Sequence, residues 1–292
     1  MIRIITPPGG GDMIAFQTSR AETCTLTAHD LGHGHLELVA TADRHWEELD
    51  WSQRKIEKLL QNRKDWPDHT PDDLEEAALR ASAARAKSKV RRLCKVMGAD
   101  AMLTLTYREN VTDIAVCKRH LKEFVRRVSR VITGFRAVCA FEQQARGAWH
   151  VHMAIERVSS SLVVSGVRLK SFNVLRAVWR SVTKENGGNV DLSQGQYKKR
   201  SPARIAAYLS KYLMKAFEDG AKWSNRWTRY GDIECPKPLK LGQFPSMLAA
   251  VHAAYQLVDG CASVVNQYLG HFKDVFFLVV EGQASDFGEI KV

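Results

Sequence analysis

The chain has 292 residues, of which 45% are hydrophobic and 26% charged, an ordinary balance for a globular protein of one large or two modest domains. Its 43 lysines and arginines against 32 aspartates and glutamates give a formal net charge of +11, so we expect a polyanionic partner such as nucleic acid. No apolar run approaches the roughly 18 residues of a membrane span, and the first residues lack the apolar segment of a secretory signal, so we expect a cytoplasmic protein. The six cysteines include no CxxC pair, which argues against a disulfide framework and a zinc ribbon.

Residues 1–98 are predicted to form a largely helical, basic accessory region. Apolar residues recur at helical spacing from Trp46 onward, and Thr70-Pro71 followed by two aspartates is typical of the start of a second helix. Such a helix fits a solvated face and a surface that contacts the DNA backbone about equally well. Its basic side chains are Arg85, Lys87, Lys89, Arg91, Arg92 and Lys95.

Residues 99–235 have the pattern of an α+β domain. The order predicted is a strand, a helix, a hairpin of two strands, a helix, a short strand and a final helix that opens at Ser201-Pro202. This order predicts an antiparallel sheet covered by helices and resembles the ferredoxin-like folds, which include the RRM fold. Residues 236–292 are interpreted as a C-terminal tail to which no role is assigned. The ranges behind these predictions are 102–107, 116–132, 135–142, 149–155, 171–184 and 190–192.

The second hairpin strand carries His150-Val151-His152. Residues two apart on a strand project to the same face, roughly 6–7 Å apart, so both imidazoles can reach one cation. Most such pairs are incidental, and His33-Gly34-His35 illustrates this, since its glycines indicate a loop. The apolar strand around His150 and His152 favours a metal clamp.

Two histidines rarely hold a divalent ion alone, and Glu142 on the preceding strand is the predicted third ligand. If Ala145-Arg146-Gly147 form a three-residue hairpin loop, Glu142 faces His150 and shares its side of the sheet. A register shift of one residue would send Glu142 to the opposite face. Glu156 lies on the same face, farther along the strand, and ranks second.

The last helix presents Tyr208, Lys211, Tyr212 and Lys215 on one stripe, at i, i+3, i+4 and i+7. Tyrosines at this spacing are more often core residues than nucleophiles. The two lysines argue against simple burial, because their ammonium groups need water or an anion such as phosphate. We therefore predict Tyr208 and Tyr212 as nucleophiles, with Lys211 and Lys215 favouring the phenolate. Upstream, Tyr197-Lys198-Lys199-Arg200 and Arg204 add positive charge that fits either a solvated loop or a DNA contact.

Three segments in this order resemble the motifs of HUH endonucleases: Leu103–Tyr107, Glu142–His152 and Tyr208–Lys215. The chain looks like a rolling-circle replication initiator of small phages and plasmids, and its two tyrosines resemble the phage A-protein branch. The resemblance covers roughly residues 100–218.

The resemblance implies that His150, His152 and Glu142 hold Mg²⁺ or Mn²⁺, while Tyr208 and Tyr212 alternate as nucleophiles. A tyrosine of such an enzyme nicks single-stranded or supercoiled origin DNA, forms a 5′-phosphotyrosyl link and leaves a 3′-OH for a host polymerase. Because no Walker A sequence is present, a host helicase is expected as a further partner, in the cytoplasm of a bacterial host cell.

Two other functions stay open. The first is a non-catalytic nucleic-acid-binding protein on a ferredoxin-like fold, in which the histidines and tyrosines contact bases. RNA-binding sheets of that kind present aromatic residues on their central strands, where this sequence has threonines and histidines. The second is an HUH transposase or relaxase with the same chemistry.

Overall fold

The structure is a computed structural model that describes residues 2–5, 11–64, 71–194, 201–219, 226–260 and 262–282. The chain divides into two compact units: a terminal unit, Met1–Glu76 with Pro236–Val292, and a central unit, Ala77–Cys235. None of the helices in these described ranges is long and apolar enough to cross a membrane.

The elements follow one another along the chain as six helices and thirteen strands within the described ranges. They are β1 (Ile2–Ile5), β2 (Ile14–Asp30), β3 (His35–Leu49), α1 (Gln53–Lys64), α2 (Pro71–Met97), β4 (Ala101–Thr106), α3 (Ile114–Val128), β5 (Ala137–Gln143), β6 (Trp149–Ile155), β7 (Ser161–Val164), β8 (Val167–Lys170), α4 (Ser171–Thr183), β9 (Asn189–Ser193), α5 (Pro202–Asp219), β10 (Trp227–Tyr230), β11 (Leu239–Phe244), α6 (Met247–Val258), β12 (Ala262–Leu269) and β13 (Val275–Gly282).

The terminal unit is built on an antiparallel sheet in the order β1-β2-β3-β13-β12, with β11 paired to β2. Alternate residues of β3, such as Leu36, Leu38 and Ala40, are buried in a cluster that includes residues of α6. The hydroxyl of Ser246 caps α6 by accepting a hydrogen bond from the amide of Ala249 at 3.2 Å. The predicted C-terminal tail therefore contributes one helix and three strands to a sheet formed with the N-terminal strands.

The prediction of a helix from residue 44 was wrong for its first turns. Trp46 and Leu49 lie on β3, opposite Thr18 and Ala15 of β2, and helix begins only at Gln53. Spacings of three residues fit a helix but do not exclude a strand, and the pairing partners of β3 come from β2 and from the distant β13. The division of roles between 1–98, 99–235 and 236–292 stays a prediction.

The central unit has the antiparallel α+β architecture that the sequence predicted. Its sheet has the order β10-β5-β6-β4-β9, and all its neighbouring strands are antiparallel. One face, with Leu103 and Leu105 of β4, packs in a cluster with residues of α3 and α4, whereas Met102 faces a cluster with residues of α2 and α5. The hydroxyl of Ser201 accepts a hydrogen bond from the amide of Arg204, which confirms the predicted cap of α5.

A short hairpin, β7-β8, follows β6 and was not predicted. Its two-residue turn places both Ser165 and Gly166 at positive φ, 50° and 81°, as hairpin turns of this length require. Serine at the first position gives a weaker sequence signal than asparagine or aspartate, which explains why the turn was missed.

Candidate metal and tyrosine site

The hairpin β5-β6 has the register that its loop predicted, and Glu142 lies opposite His150. The amide of Gln144 donates to the carbonyl of Ala148 at 2.9 Å, and Gly147 occupies the left-handed region with a φ of 88°. Because directly opposed residues point to the same side, this loop brings a carboxylate to the two histidines.

Glu142, His150 and His152 form a compact cluster of potential metal ligands. One ligand atom from each residue lies within 4.8 Å of the others, and the two imidazole centroids are 6.5 Å apart. Glu142 and His152 are 9% and 5% exposed. The three predicted metal ligands are therefore brought together at one point of the sheet.

The carboxylate of Glu142 joins two cationic or hydrogen-donating groups. Its Oε2 lies 2.8 Å from Nε2 of His152, and its Oε1 accepts a hydrogen bond from the ammonium of Lys215 at 2.6 Å. The other nitrogen of His152, Nδ1, lies 3.3 Å from the hydroxyl of Thr104 on the neighbouring strand. Both nitrogens of His152 are thus engaged, and the plane of its ring is fixed.

The surroundings of these side chains favour a neutral imidazole beside an ionised carboxylate. Burial lowers the pKa of His152 and of His150, although Glu142 acts in the opposite direction on both. Burial tends to raise the pKa of Glu142, but the hydrogen bonds from Lys215 and His152 outweigh it and leave that pKa below its ordinary value. Neutral imidazoles and a carboxylate are the protonation states that bind metal.

The residues of this cluster fit a divalent metal ion. The Nε2 atom of His150 is buried and has no hydrogen-bond partner among the described residues. Such an atom is costly unless something binds it, and a metal ion would satisfy it together with Nε2 of His152 and the carboxylate of Glu142. Imidazole and carboxylate together accept Mg²⁺, Mn²⁺ and several transition ions, so the donor set does not decide the metal.

Helix α5 presents its tyrosines at the border of the buried stripe. Leu209 and Leu213 are fully buried against the sheet, and Tyr208 and Tyr212 each precede one of them by one residue, about 100° around the helix. Tyr208 is consequently 45% exposed and Tyr212 is partly buried. This arrangement differs from core packing, the commoner role of tyrosines at this spacing.

Tyr212 lies directly on the metal cluster. Its ring stacks on that of His152 with a centroid distance of 3.5 Å and an interplanar angle of 12°. Its hydroxyl donates a hydrogen bond of 2.7 Å to the hydroxyl oxygen of Tyr208. Burial and this donated hydrogen bond raise the pKa of Tyr212. The two phenols are therefore not equivalent, since one holds its proton and the other accepts a hydrogen bond.

The two predicted lysines have different surroundings. The ammonium of Lys215 binds Glu142, which differs from the expected position beside a phenol. Lys211 is exposed and lines, with Glu142 and both tyrosines, a cleft of about 430 Å³. A cleft with cationic groups on its rim and phenols in its wall has the chemistry to receive a phosphodiester.

Two residues near the cluster were not singled out from the sequence. Thr104 was recognised only as part of a strand, because its position beside His152 depends on the pairing of β4 with β6. Arg146 was read as a loop residue, and its positive charge helps to lower the pKa of His150. Glu156, the second-ranked ligand, is bound instead to Arg136 at 2.9 Å. Tyr197, Lys198, Lys199 and Arg200 lie outside the described residues, and Arg204 is exposed.

A family model described as replication-associated protein ORF2 matches residues 100–217. The matched part runs from the start of β4 to near the end of α5 and so includes the metal cluster and both tyrosines, but it is less than half of the chain. The match supports a role in initiating replication. No curated protein and no solved structure matches the chain.

Proposed function

We propose that this protein is a metal-dependent HUH endonuclease that nicks and rejoins single-stranded DNA to initiate rolling-circle replication. The observation that carries the proposal is the stacking of the Tyr212 ring on His152, which unites a tyrosine helix and a metal cluster in one site. The order β4-α3-β5-β6-α4-β9 and the spatial order β5-β6-β4-β9 support a ferredoxin-like domain for this chemistry.

His150, His152 and Glu142 would hold Mg²⁺ or Mn²⁺. When bound, such an ion neutralises phosphate oxygens and stabilises the charge that develops as phosphorus is attacked. Thr104 and the stack with Tyr212 hold the His152 ring in one orientation, and the ammonium of Lys215 balances the charge of Glu142.

Tyr208 is the first nucleophile in this proposal. Its hydroxyl oxygen is exposed to the cleft and accepts the hydrogen bond of Tyr212, which stabilises negative charge on that oxygen. As the Tyr208 oxygen bonds to phosphorus, the bond from phosphorus to the 3′ oxygen breaks and its electrons stay on that oxygen. The phenol proton passes to solvent, and the departing 3′ oxygen takes up a proton. The products are a 5′-phosphotyrosyl link and a free 3′-OH.

Tyr212 is the second nucleophile. After Tyr208 is esterified it no longer holds the Tyr212 hydroxyl as a phenol partner, and Tyr212 is one helical turn away on the same stripe. A second phenol allows the enzyme to cut the next unit of DNA while it is still joined to the first. The free 3′-OH would serve a host polymerase, and a host helicase would unwind the duplex.

The branch of small phage A-proteins, rather than transposases or relaxases, is favoured by the two tyrosines four residues apart. A non-catalytic role as a nucleic-acid-binding sheet is disfavoured by the same geometry. The buried Nε2 atom of His150 has no use in base stacking, and the tyrosines are on a helix rather than on central strands.

A covalent-adduct assay tests the proposal. The protein is incubated with Mn²⁺ and a library of short randomised single-stranded oligonucleotides, or with supercoiled DNA that carries a phage or plasmid origin, and then denatured. Because the link is to the 5′ phosphate, a label at the 3′ end of the oligonucleotide should travel with the protein in a denaturing gel, whereas a 5′ label should not. Absence of any adduct, or an adduct that carries the 5′ label, would contradict the proposal.

Matched variants assign the residues. His150→Ala should abolish the adduct, whereas His252→Ala, which removes an exposed histidine of α6, should leave it unchanged. Tyr208→Phe should slow the first cleavage more than Tyr212→Phe does, and the double variant should be inactive. Tyr268→Phe removes an exposed phenol from β12 and is the control. Full cleavage by the double variant would refute both nucleophiles.

A further inference from the structure

A second cleft, of about 640 Å³, opens at the end of the sheet that carries His150. It lies between the end of β4, the end of α4 and the start of β9. Its cationic side chains are Arg108, Arg180 and Lys184, against the single carboxylate of Glu185. A cleft of this volume can hold a nucleotide, and the excess of positive charge suits a phosphate.

The cleft adjoins the metal cluster across one strand. Leu105 of β4 pairs with Val151 of β6, so the next residues outward, Thr106 and His150, lie opposite each other on the same face. Thr106 is part of the wall of the cleft. The guanidinium of Arg146, from the β5-β6 loop, donates to the carbonyl of Tyr107 in that wall at 3.3 Å. The two features therefore belong to one continuous surface.

The strand order gives this surface a direction. Glu142 lies on β5, the two histidines on β6, Thr106 on β4 and Asn189 on β9, which are consecutive strands of the sheet. From β5 to β9 is three strand spacings, about 14 Å. A single DNA strand that leaves the tyrosine cleft across the sheet would pass the histidines and reach the cationic cleft within a few nucleotides.

The backbone of the cleft is constrained in a manner typical of binding sites. Lys184 has a φ of 48° and a ψ of −120°, a conformation that side chains other than glycine rarely adopt. Gly188 approaches the fully buried Trp179 so closely that a Cβ atom would lie 2.5 Å from the indole nitrogen. Arg180 donates to the carbonyl of Gly188 at 3.1 Å, which fixes its guanidinium over the cleft. The loop is thus held in a strained shape that directs cations into the cleft.

We propose that this cleft, formed around Arg108, Arg180 and Lys184, binds a backbone phosphate of the single DNA strand next to the cleavage point. The inference rests on the proposed nicking function, because that function supplies the strand. The cleft would fix the strand across the sheet and so align the scissile phosphate with the metal cluster.

Fluorescence anisotropy with a labelled thymidine oligonucleotide of about 12 nucleotides tests the proposal. EDTA is present throughout, so that binding is measured without cleavage. The variants are Lys184→Gly, Arg108→Ala and, as a control that removes the same charge, Arg130→Ala. Arg130 follows α3 and lies toward the opposite end of the sheet from Glu142. Glycine suits the positive φ at position 184, so the melting temperature of that variant should not fall.

Each of the two cleft variants should bind the oligonucleotide about threefold to tenfold more weakly, and the slope of log affinity against log salt should become shallower by about 0.7 per lost phosphate contact. The control should bind like wild type. Wild-type affinity and slope in both cleft variants would overturn the proposal, as would an equal loss in the control. Competition by micromolar thymidine monophosphate, lost in Lys184→Gly, would assign the cleft to a free nucleotide and also overturn it.

The adduct assay separates this inference from the proposed function. Weakened binding in the cleft variants, in a protein that forms no adduct with any DNA, would refute nicking but leave the cleft as a site for single strands. Adduct formation by a wild-type protein whose cleft variants bind normally would refute the cleft alone.

Discussion

Replacing Thr104 with valine should weaken metal binding by the histidine cluster, although Thr104 is not itself a ligand. Thr104 and His152 are directly paired on neighbouring strands, and the hydroxyl lies 3.3 Å from Nδ1 of His152. If Nε2 of His152 binds the metal, Nδ1 carries the proton and donates it to this hydroxyl. Valine has nearly the same shape, so the substitution removes the hydrogen bond with little change in packing.

The expected magnitude follows from the geometry of this hydrogen bond. Partners that orient metal-bound histidines typically contribute tenfold to a hundredfold in affinity, or about 1.4–2.8 kcal/mol. Because the distance of 3.3 Å is at the long end for a hydrogen bond and Tyr212 also holds the ring, we expect the lower end of this range. The free energy of unfolding should fall by about 1 kcal/mol, since Nδ1 loses its partner.

Isothermal titration of the metal-free protein with Mn²⁺ measures the effect. Thr106→Val is the matched control, because it removes the same hydroxyl from the same face of β4, where its partner is the carbonyl of Asn189 rather than a histidine. If Thr104→Val binds Mn²⁺ as tightly as wild type while Glu142→Gln does not, the positioning role of Thr104 is wrong.

Three further substitutions test other parts of the central unit. Lys215→Met should tighten Mn²⁺ binding about twofold to fivefold in titration, since the half-exposed ammonium no longer competes for Glu142, yet slow adduct formation; weaker Mn²⁺ binding would contradict this. His150→Leu should unfold in urea with a free energy equal to or about 1 kcal/mol above that of the metal-free wild type, because a buried unpaired nitrogen is removed, and Mn²⁺ should no longer raise its melting temperature. Gly188→Ala should lower the free energy of unfolding by about 2 kcal/mol, since its Cβ displaces Trp179; an unchanged urea midpoint would show that the indole can move freely.

Local patterns were sufficient for much of the central unit. The alternation in β4 and the caps of α5 depend on neighbours in the chain, and the register of β5 with β6 follows from a loop of three residues. The cluster of Glu142, His150 and His152 could therefore be predicted, because all of its geometry is contained in one hairpin.

The terminal unit shows where local patterns fail. Segments from both ends of the chain form its sheet, and β3 is paired on one side by a strand more than two hundred residues away in sequence. Trp46 and Leu49 have spacings that fit a helix as well as a strand, and only the pairing with β2 decides between them. Pairing of this kind is a tertiary contact that sequence spacing does not contain.

By itself the sequence determined the metal ligands and the stripe of tyrosines and lysines, because one hairpin loop and one helical repeat fix them. The tertiary structure alone decided how the two meet. The packing of Leu209 and Leu213 on the sheet sets the rotation of α5, and this rotation stacks Tyr212 on His152, exposes Tyr208 and brings Lys215 to Glu142. The pairing of β4 with β6 brings Thr104 to His152. Contacts between segments far apart in the chain depend on how the core packs, and a spacing rule does not reach that far.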